Sequence, residues 1–132
     1  MIVVDVNVLA DRIVGAPALR ETAISVRERD PVWIAPALWR YEFGNILWMM
    51  VRLDKLDAEF AAECFDAADS LREESVSNQD WHQTLVLSIQ HEVSYYDASY
   101  IYLTQSWGLT LFTRDRKLAR KFPHCTNLIP SP

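Results

Sequence analysis

Asp5, Glu42, Asp97 and Asp115 are the residues of this chain best placed to do chemistry. They are scattered in sequence, yet each stands where a local element would aim it at a common point. Asp5 ends the apolar run Ile2-Val3-Val4, and Asp115 follows the strand-like Leu109-Thr110-Leu111-Phe112. Asp97 opens a helix-like stretch, and Glu42 lies early in another. Gathered carboxylates repel by about 4 kcal/mol per pair at 4 Å and an effective dielectric near 20. A fold that collects four of them needs a cation. Hard divalent ions take oxygen ligands, and metal sites of this kind serve phosphodiester hydrolysis. An isolated aspartate after a strand is more often a turn or helix-cap residue. Glu42 argues against that simpler reading. Its neighbours Tyr41, Phe43, Ile46, Leu47 and Trp48 make the helix apolar nearly all round, so a carboxylate there needs a partner or a cleft. Asn45, three residues on, shares its side of the helix.

The elements that must position these acids follow from periodicity and punctuation. Ile2 to Val4 predicts a short buried strand, Asn7 to Val14 a helix, and Pro17 to about Arg29 a second helix with proline in its first turn. Val32 to Ala35 reads as a strand closed by Pro36, and Leu38 to Arg52 as the longest helical pattern. Asp57 caps a helix from Ala58 to about Glu73, with a weak strand at Ser75 to Ser77. Asp80 caps Trp81 to His91, and Asp97 leads a helix to Trp107 that Gly108 ends. Leu109 to Phe112 is a strand, Arg116 to Phe122 a short helix and Thr126 to Ile129 a last strand. Strands alternating with helices imply a parallel sheet covered on both faces. Ligands of such sheets bind beyond the carboxyl ends of strands, where the strand order reverses. Asp5 and Asp115 would share one crevice if their strands are neighbours there.

The chain has 132 residues, half of them hydrophobic, which suits one domain spanning residues 1–132 with a single core. With three glycines and six prolines it is neither fibrous nor disordered in composition. A net charge of −5 excludes a general basic coat for nucleic acid, so any such contact falls to a local patch. Cys64 and Cys125 form no Cys-x-x-Cys pair and no zinc spacing with His82, His91 or His124. They read as thiols of a reducing compartment. No basic leader precedes an apolar run, and no uncharged apolar run approaches the roughly 18 residues of a membrane span. These features predict a cytoplasmic protein without membrane contact.

Four stretches taken in order carry a resemblance. They are Ile2-Val3-Val4-Asp5-Val6-Asn7-Val8-Leu9, Tyr41-Glu42-Phe43-Gly44-Asn45-Ile46-Leu47, Tyr96-Asp97-Ala98, and Thr113-Arg114-Asp115-Arg116-Lys117-Leu118-Ala119. Together they resemble the PIN-domain ribonucleases, and among them the VapC toxins of bacterial and archaeal toxin–antitoxin pairs. The resemblance covers essentially the whole chain. It implies an α/β fold, a PIN-like three-layer α/β/α arrangement around a central parallel sheet of four to five strands. It also implies an Mg²⁺- or Mn²⁺-dependent endoribonuclease with Asp5, Glu42, Asp97 and Asp115 as catalytic metal ligands. Asn7 and Thr113 would orient those acids or the attacking water, with Asn45 in the same supporting shell. The partners implied are an RNA substrate, a cognate antitoxin and a second copy in a homodimer.

Arg114 to Lys121 holds five basic residues and one acid, a local reversal of sign beside Asp115. Arg114, Arg116, Lys117 and Arg120 are therefore candidate RNA-backbone contacts, against the simpler reading of a solvated helix that buries Leu118 and Phe122. Leu38 to Arg52, and Tyr95-Tyr96 with Tyr100 to Leu103, carry more apolar surface than one core face needs. That surplus predicts partner surfaces, unless the helices are wedged in the core. Two other functions fit parts of the pattern. A receiver-type phosphoacceptor domain has similar length and strand-end aspartates. It requires an acidic pair after the first strand and an aspartate ending a middle strand, neither of which is present. A non-catalytic PIN-fold interaction module would need no intact quartet.

Overall fold

The computed structural model describes residues 1–71, the backbone of 74–76, and residues 80–131. Among them, five strands form one parallel sheet in the order β3-β2-β1-β4-β5. They are β1 (Ile2–Val4), β2 (Trp33–Pro36), β3 (Glu74–Val76), β4 (Leu111–Thr113) and β5 (Thr126–Leu128). The helices are α1 (Val6–Val14), α2 (Pro17–Arg29), α3 (Trp39–Arg52), α4 (Ala58–Ser70), α5 (Trp81–His91), α6 (Tyr95–Ser106) and α7 (Arg116–Lys121).

β1 is the middle strand, and its three residues are all buried. Successive side chains of a strand point to opposite faces, so helices must cover both sides of the sheet. Full burial of each such aliphatic side chain stabilises the fold by about 1.5–3 kcal/mol. Val3 pairs with Ile34 on one side and Leu111 on the other, so β1 lies between β2 and β4. From β1 the chain builds outward to β2 and β3, then returns to add β4 and β5 on the opposite side. The order therefore reverses between β1 and β4, and the crevice lies at their carboxyl ends. The Asp5 N–H still bonds the Phe112 carbonyl at 3.2 Å, which carries the pairing to the edge of that crevice.

The core gathers Trp33, Trp39, Phe43, Ile101, Leu111 and Phe122. On α3, Trp39 and Phe43 lie 5.8 Å from Phe65 of α4, ring centre to ring centre, and hold those two helices together. The α3 helix is thus partly wedged in the core, with Trp39, Phe43 and Leu47 buried. Tyr41, Trp48 and Met49 remain in solvent. Tyr100, Ile101 and Leu103 of α6 are buried too, a correction to their reading as partner surface; Tyr96 alone of that group is exposed.

Several boundaries move for local reasons. Pro36 is the last residue of β2 rather than its stop. α4 ends at Ser70, where the Leu71 N–H turns back to the Ala68 carbonyl at 3.2 Å. Helix α6 starts at Tyr95 because Ser94 caps it, so Asp97 belongs to its first turn and does not lead it. Gly108 adopts φ +63° after that helix, a conformation glycine takes at little cost, and the Leu109 N–H bonds Thr104 at 2.9 Å. That closure occupies Leu109, so β4 begins at Leu111 and runs through Thr113. Glu73 and Ser77, proposed ends of α4 and β3, lie outside the described residues.

Candidate active site

Asp5 caps α1 and is buried at the carboxyl end of β1. Its Oδ1 accepts the backbone N–H groups of Asn7 at 2.9 Å and Val8 at 3.0 Å. Its Oδ2 accepts the hydroxyl of Thr113. Burial pushes the Asp5 carboxyl above its ordinary pKa, because removal from water disfavours the charged form. The three hydrogen bonds and the positive charge of Arg114 act in the opposite direction. Asp5 is thus the side-chain cap of α1 as well as the buried acid at the end of β1.

Thr113 ends β4 and is fully buried. Besides donating to Asp5, its Oγ1 accepts the Asp115 N–H at 3.0 Å. One hydroxyl thus ties the two strand-end acids together across the switch point. Asp115 in turn caps α7, accepting the Leu118 N–H at 3.0 Å, and is exposed.

Glu42 and Asp97 enter from the helices. Both are partly buried, Glu42 in the first turn of α3 and Asp97 in the first turn of α6. The buried Tyr100 donates its hydroxyl to Glu42 Oε1 at 2.7 Å. Burial raises the pKa of Glu42, the Tyr100 bond lowers it, and the charges of Asp5 and Asp97 raise it. Burial also raises Asp97, as does the charge of Asp115, while the bond with Ser94 lowers it. The four acids therefore form a chain of charge contacts: Glu42 feels Asp5 and Asp97, and Asp97 feels Asp115. Among the described residues, no three His, Cys, Asp or Glu side chains stand close enough to form a ready-made cation cage. The four acids are instead linked pairwise at the range of charge repulsion. The donors are hard carboxylate oxygens, a set that suits Mg²⁺ or Mn²⁺.

The other candidates separate. Asn7 is exposed at the start of α1 and reaches Asp5 through its backbone. Asn45 is exposed one turn beyond Glu42. Arg116, Lys117 and Arg120 are exposed on α7, whose Leu118 faces the core. Arg114 is engaged elsewhere: its Nη2 donates to Asp11 Oδ1 at 3.0 Å, and its Nε lies 2.6 Å from Asp11 Oδ2. This ion pair weakens its case as a freely available RNA contact.

Three supporting residues escaped the sequence reading. Ser94 had a local signal, because Ser94-Tyr95-Tyr96-Asp97 matches a Ser-x-x-acid capping pattern. Tyr100 lies one helical turn after Asp97, a spacing that puts it on the same side. The pairing of Asp11 with Arg114 spans 103 positions and has no local signature.

A PIN-domain family profile matches residues 2–122, and the chain belongs to the PIN-domain family. It is similar to Exonuclease VapC9 of Pyrobaculum aerophilum, 33% identical over 81 residues that cover 61% of this chain and 60% of that protein. It is also similar to Ribonuclease VapC3 of the same organism, 33% identical over 87 residues covering 63% of this chain and 66% of that protein. The matched stretches thus span a little under two thirds of these relatives' lengths. The crystal structure of PAE2754 from Pyrobaculum aerophilum has the same fold, with a TM-score of 0.72 and 29% identity over 90% of this chain and 84% of that one. The family sets aside the receiver-domain reading.

Proposed function

We propose that this protein is an Mg²⁺- or Mn²⁺-dependent endoribonuclease, the toxin of a toxin–antitoxin pair neutralised by a cognate antitoxin. The observation that carries the proposal is the chain of charge contacts from Asp5 through Glu42 and Asp97 to Asp115, the first three with raised pKa values. The names of the VapC relatives support the activity class.

In this reading Asp5, Asp97 and Asp115 would hold the cation, with Glu42 a direct ligand or one reached through water. When bound, the ion would lower the pKa of a water and offset charge on the phosphoryl oxygens. Tyr100 keeps the Glu42 carboxylate turned into the crevice. Thr113 holds Asp5 and the Asp115 backbone at a common spacing. Asn7, exposed beside Asp5, is within the stretch that would orient the attacking water. Hydrolysis forms a bond from the water oxygen to phosphorus and breaks one ester P–O bond. Arg116, Lys117 and Arg120 line the approach as phosphate contacts.

The exposed α3 face of Tyr41, Trp48 and Met49 adjoins Glu42 and offers an antitoxin helix a docking surface that also reaches the acids. Homodimerisation and a cytoplasmic site of action complete the proposal. Cys64 and Cys125 are both buried free thiols, and no described helix is long and apolar enough to cross a membrane.

The test is incubation with total cellular RNA and with a circular RNA that offers no ends, in Mg²⁺ or EDTA. Cutting of the circle in Mg²⁺ alone supports metal-dependent endonuclease action. Asp5→Asn and Asp97→Asn should each reduce cleavage by more than the roughly 10–100-fold typical of outer-shell changes. Undiminished rates in both variants refute the site, and a protein that cuts no RNA returns the fold to a non-catalytic interaction role.

A further inference from the structure

The loop from β4 to α7 places three consecutive residues in three engagements. Thr113 bonds Asp5 and the Asp115 N–H, and Asp115 caps α7. Arg114, between them, reaches α1, where its Nη2 donates to Asp11 Oδ1 at 3.0 Å and its Nε lies 2.6 Å from Asp11 Oδ2 as a charge contact. Asp11 is only 6% exposed, so its carboxylate depends on this partner for compensation. α1 thus holds the loop at two points. Near its N-terminus Asp5 receives Thr113, and near its C-terminus Asp11 receives Arg114. A single bond fixes a distance and leaves a hinge; a second, charge-assisted anchor further along α1 removes the hinge. The end of α1 is itself tight around Asp11. The Gly15 N–H bonds the Asp11 carbonyl at 3.1 Å, and a Cβ at Gly15 would lie 2.5 Å from that oxygen.

We propose that Asp11 is a positioning residue of the active site: through Arg114 it locks the β4–α7 loop against α1, so that Asp5 and Asp115 present their carboxylates to one cation. This rests on the metal-nuclease reading of the crevice. Asp11 would act on the site through Arg114 alone.

Mn²⁺ titration followed by electron paramagnetic resonance, together with amide hydrogen exchange of the metal-free protein, tests the clamp. The variants are Asp11→Asn, Arg114→Met and the double change, with Arg114→Lys as a milder form that keeps the charge and loses the planar guanidinium. Ala68→Gly, at a buried site on α4, serves as a control for general loss of stability. Asp11→Asn and Arg114→Met should each weaken Mn²⁺ binding about tenfold or more, as loss of outer-shell partners does. Exchange at the Asp115 and Leu118 amides should quicken more than at the Val3 amide of β1. The double variant should be no worse than the worse single, because both changes break one contact. Arg114→Lys should fall between wild type and Arg114→Met. The clamp is overturned if affinity and local exchange shift no more than in Ala68→Gly, or if the two single effects add. A wild-type protein that binds no Mn²⁺ refutes the metal-site reading instead, and the exchange rates alone then decide the clamp.

Discussion

Replacing Tyr100 with phenylalanine removes one oxygen atom and tests how the crevice controls its charge. The Tyr100 hydroxyl donates to Glu42 Oε1 at 2.7 Å, the bond that opposes burial and the charges of Asp5 and Asp97. A hydrogen bond to a charged group contributes about 1.5–3 kcal/mol. Loss of the bond withdraws that stabilisation from the ionised form, so the pKa of Glu42 should rise further. The sign follows from the donor: an O–H stabilises the carboxylate, so its removal favours the protonated acid. Glu42 is partly exposed, and water replacing the hydroxyl brings the loss toward the lower end of that range. The acidic limb of kcat/KM against pH, measured on a short RNA at saturating Mg²⁺, should therefore move to higher pH. The plateau above it should approach the wild-type rate. Carbon-13 NMR of labelled glutamate in the metal-free protein should show the same displacement at one resonance. An unmoved limb together with an unmoved glutamate resonance would refute the assignment of this bond as the control on Glu42.

Three further outcomes follow from the same geometry. Asp5, Glu42 and Asp97 all have raised pKa values, so in the folded metal-free protein they retain protons that the unfolded chain has released. Their favourable contribution is complete below the ordinary carboxylate range and is lost as pH rises through the raised values. The advantage in Tm of Asp97→Asn over wild type should accordingly grow across that interval and shrink when Mg²⁺ is added; a difference independent of both pH and Mg²⁺ would count against the repulsive cluster. Alanine at Arg116, Lys117 and Arg120 together should flatten the slope of log RNA affinity against log salt, as fewer counterions are released, and an unchanged slope would return α7 to a solvated helix. Trp48 is 52% exposed and Trp39 is 0% exposed, so the two tryptophans of α3 should separate. Trp48→Ala should cost about 2 kcal/mol or more of antitoxin affinity with cleavage intact, whereas Trp39→Ala should cost about 3–5 kcal/mol of stability; equal effects on folding would show that both belong to the core.

Much of the architecture was written locally. The β-branched run at Ile2 to Val4, the proline of α2, the caps Asp57 and Asp80 and the glycine after α6 each act within a few residues of their own position. Hydrophobic period and cap chemistry are properties of neighbours in sequence, which is why α2 and α5 match their predicted limits. The four acids could be picked out on the same basis, by residue type at the ends of elements. What the chain alone left open was where those ends meet. Strand order decides that, and strand order comes from how helices pack on both faces of the sheet. Only the folded chain brings Thr113 onto Asp5 and Tyr100 onto Glu42. Only there does Arg114, a candidate phosphate contact, meet a buried aspartate. Likewise the apolar surplus of α3 divides into core and surface according to where α4 lies. These are contacts between residues as many as 108 positions apart. Their free energy depends on burial and on the mutual field of groups brought together by the fold, neither of which exists in the extended chain.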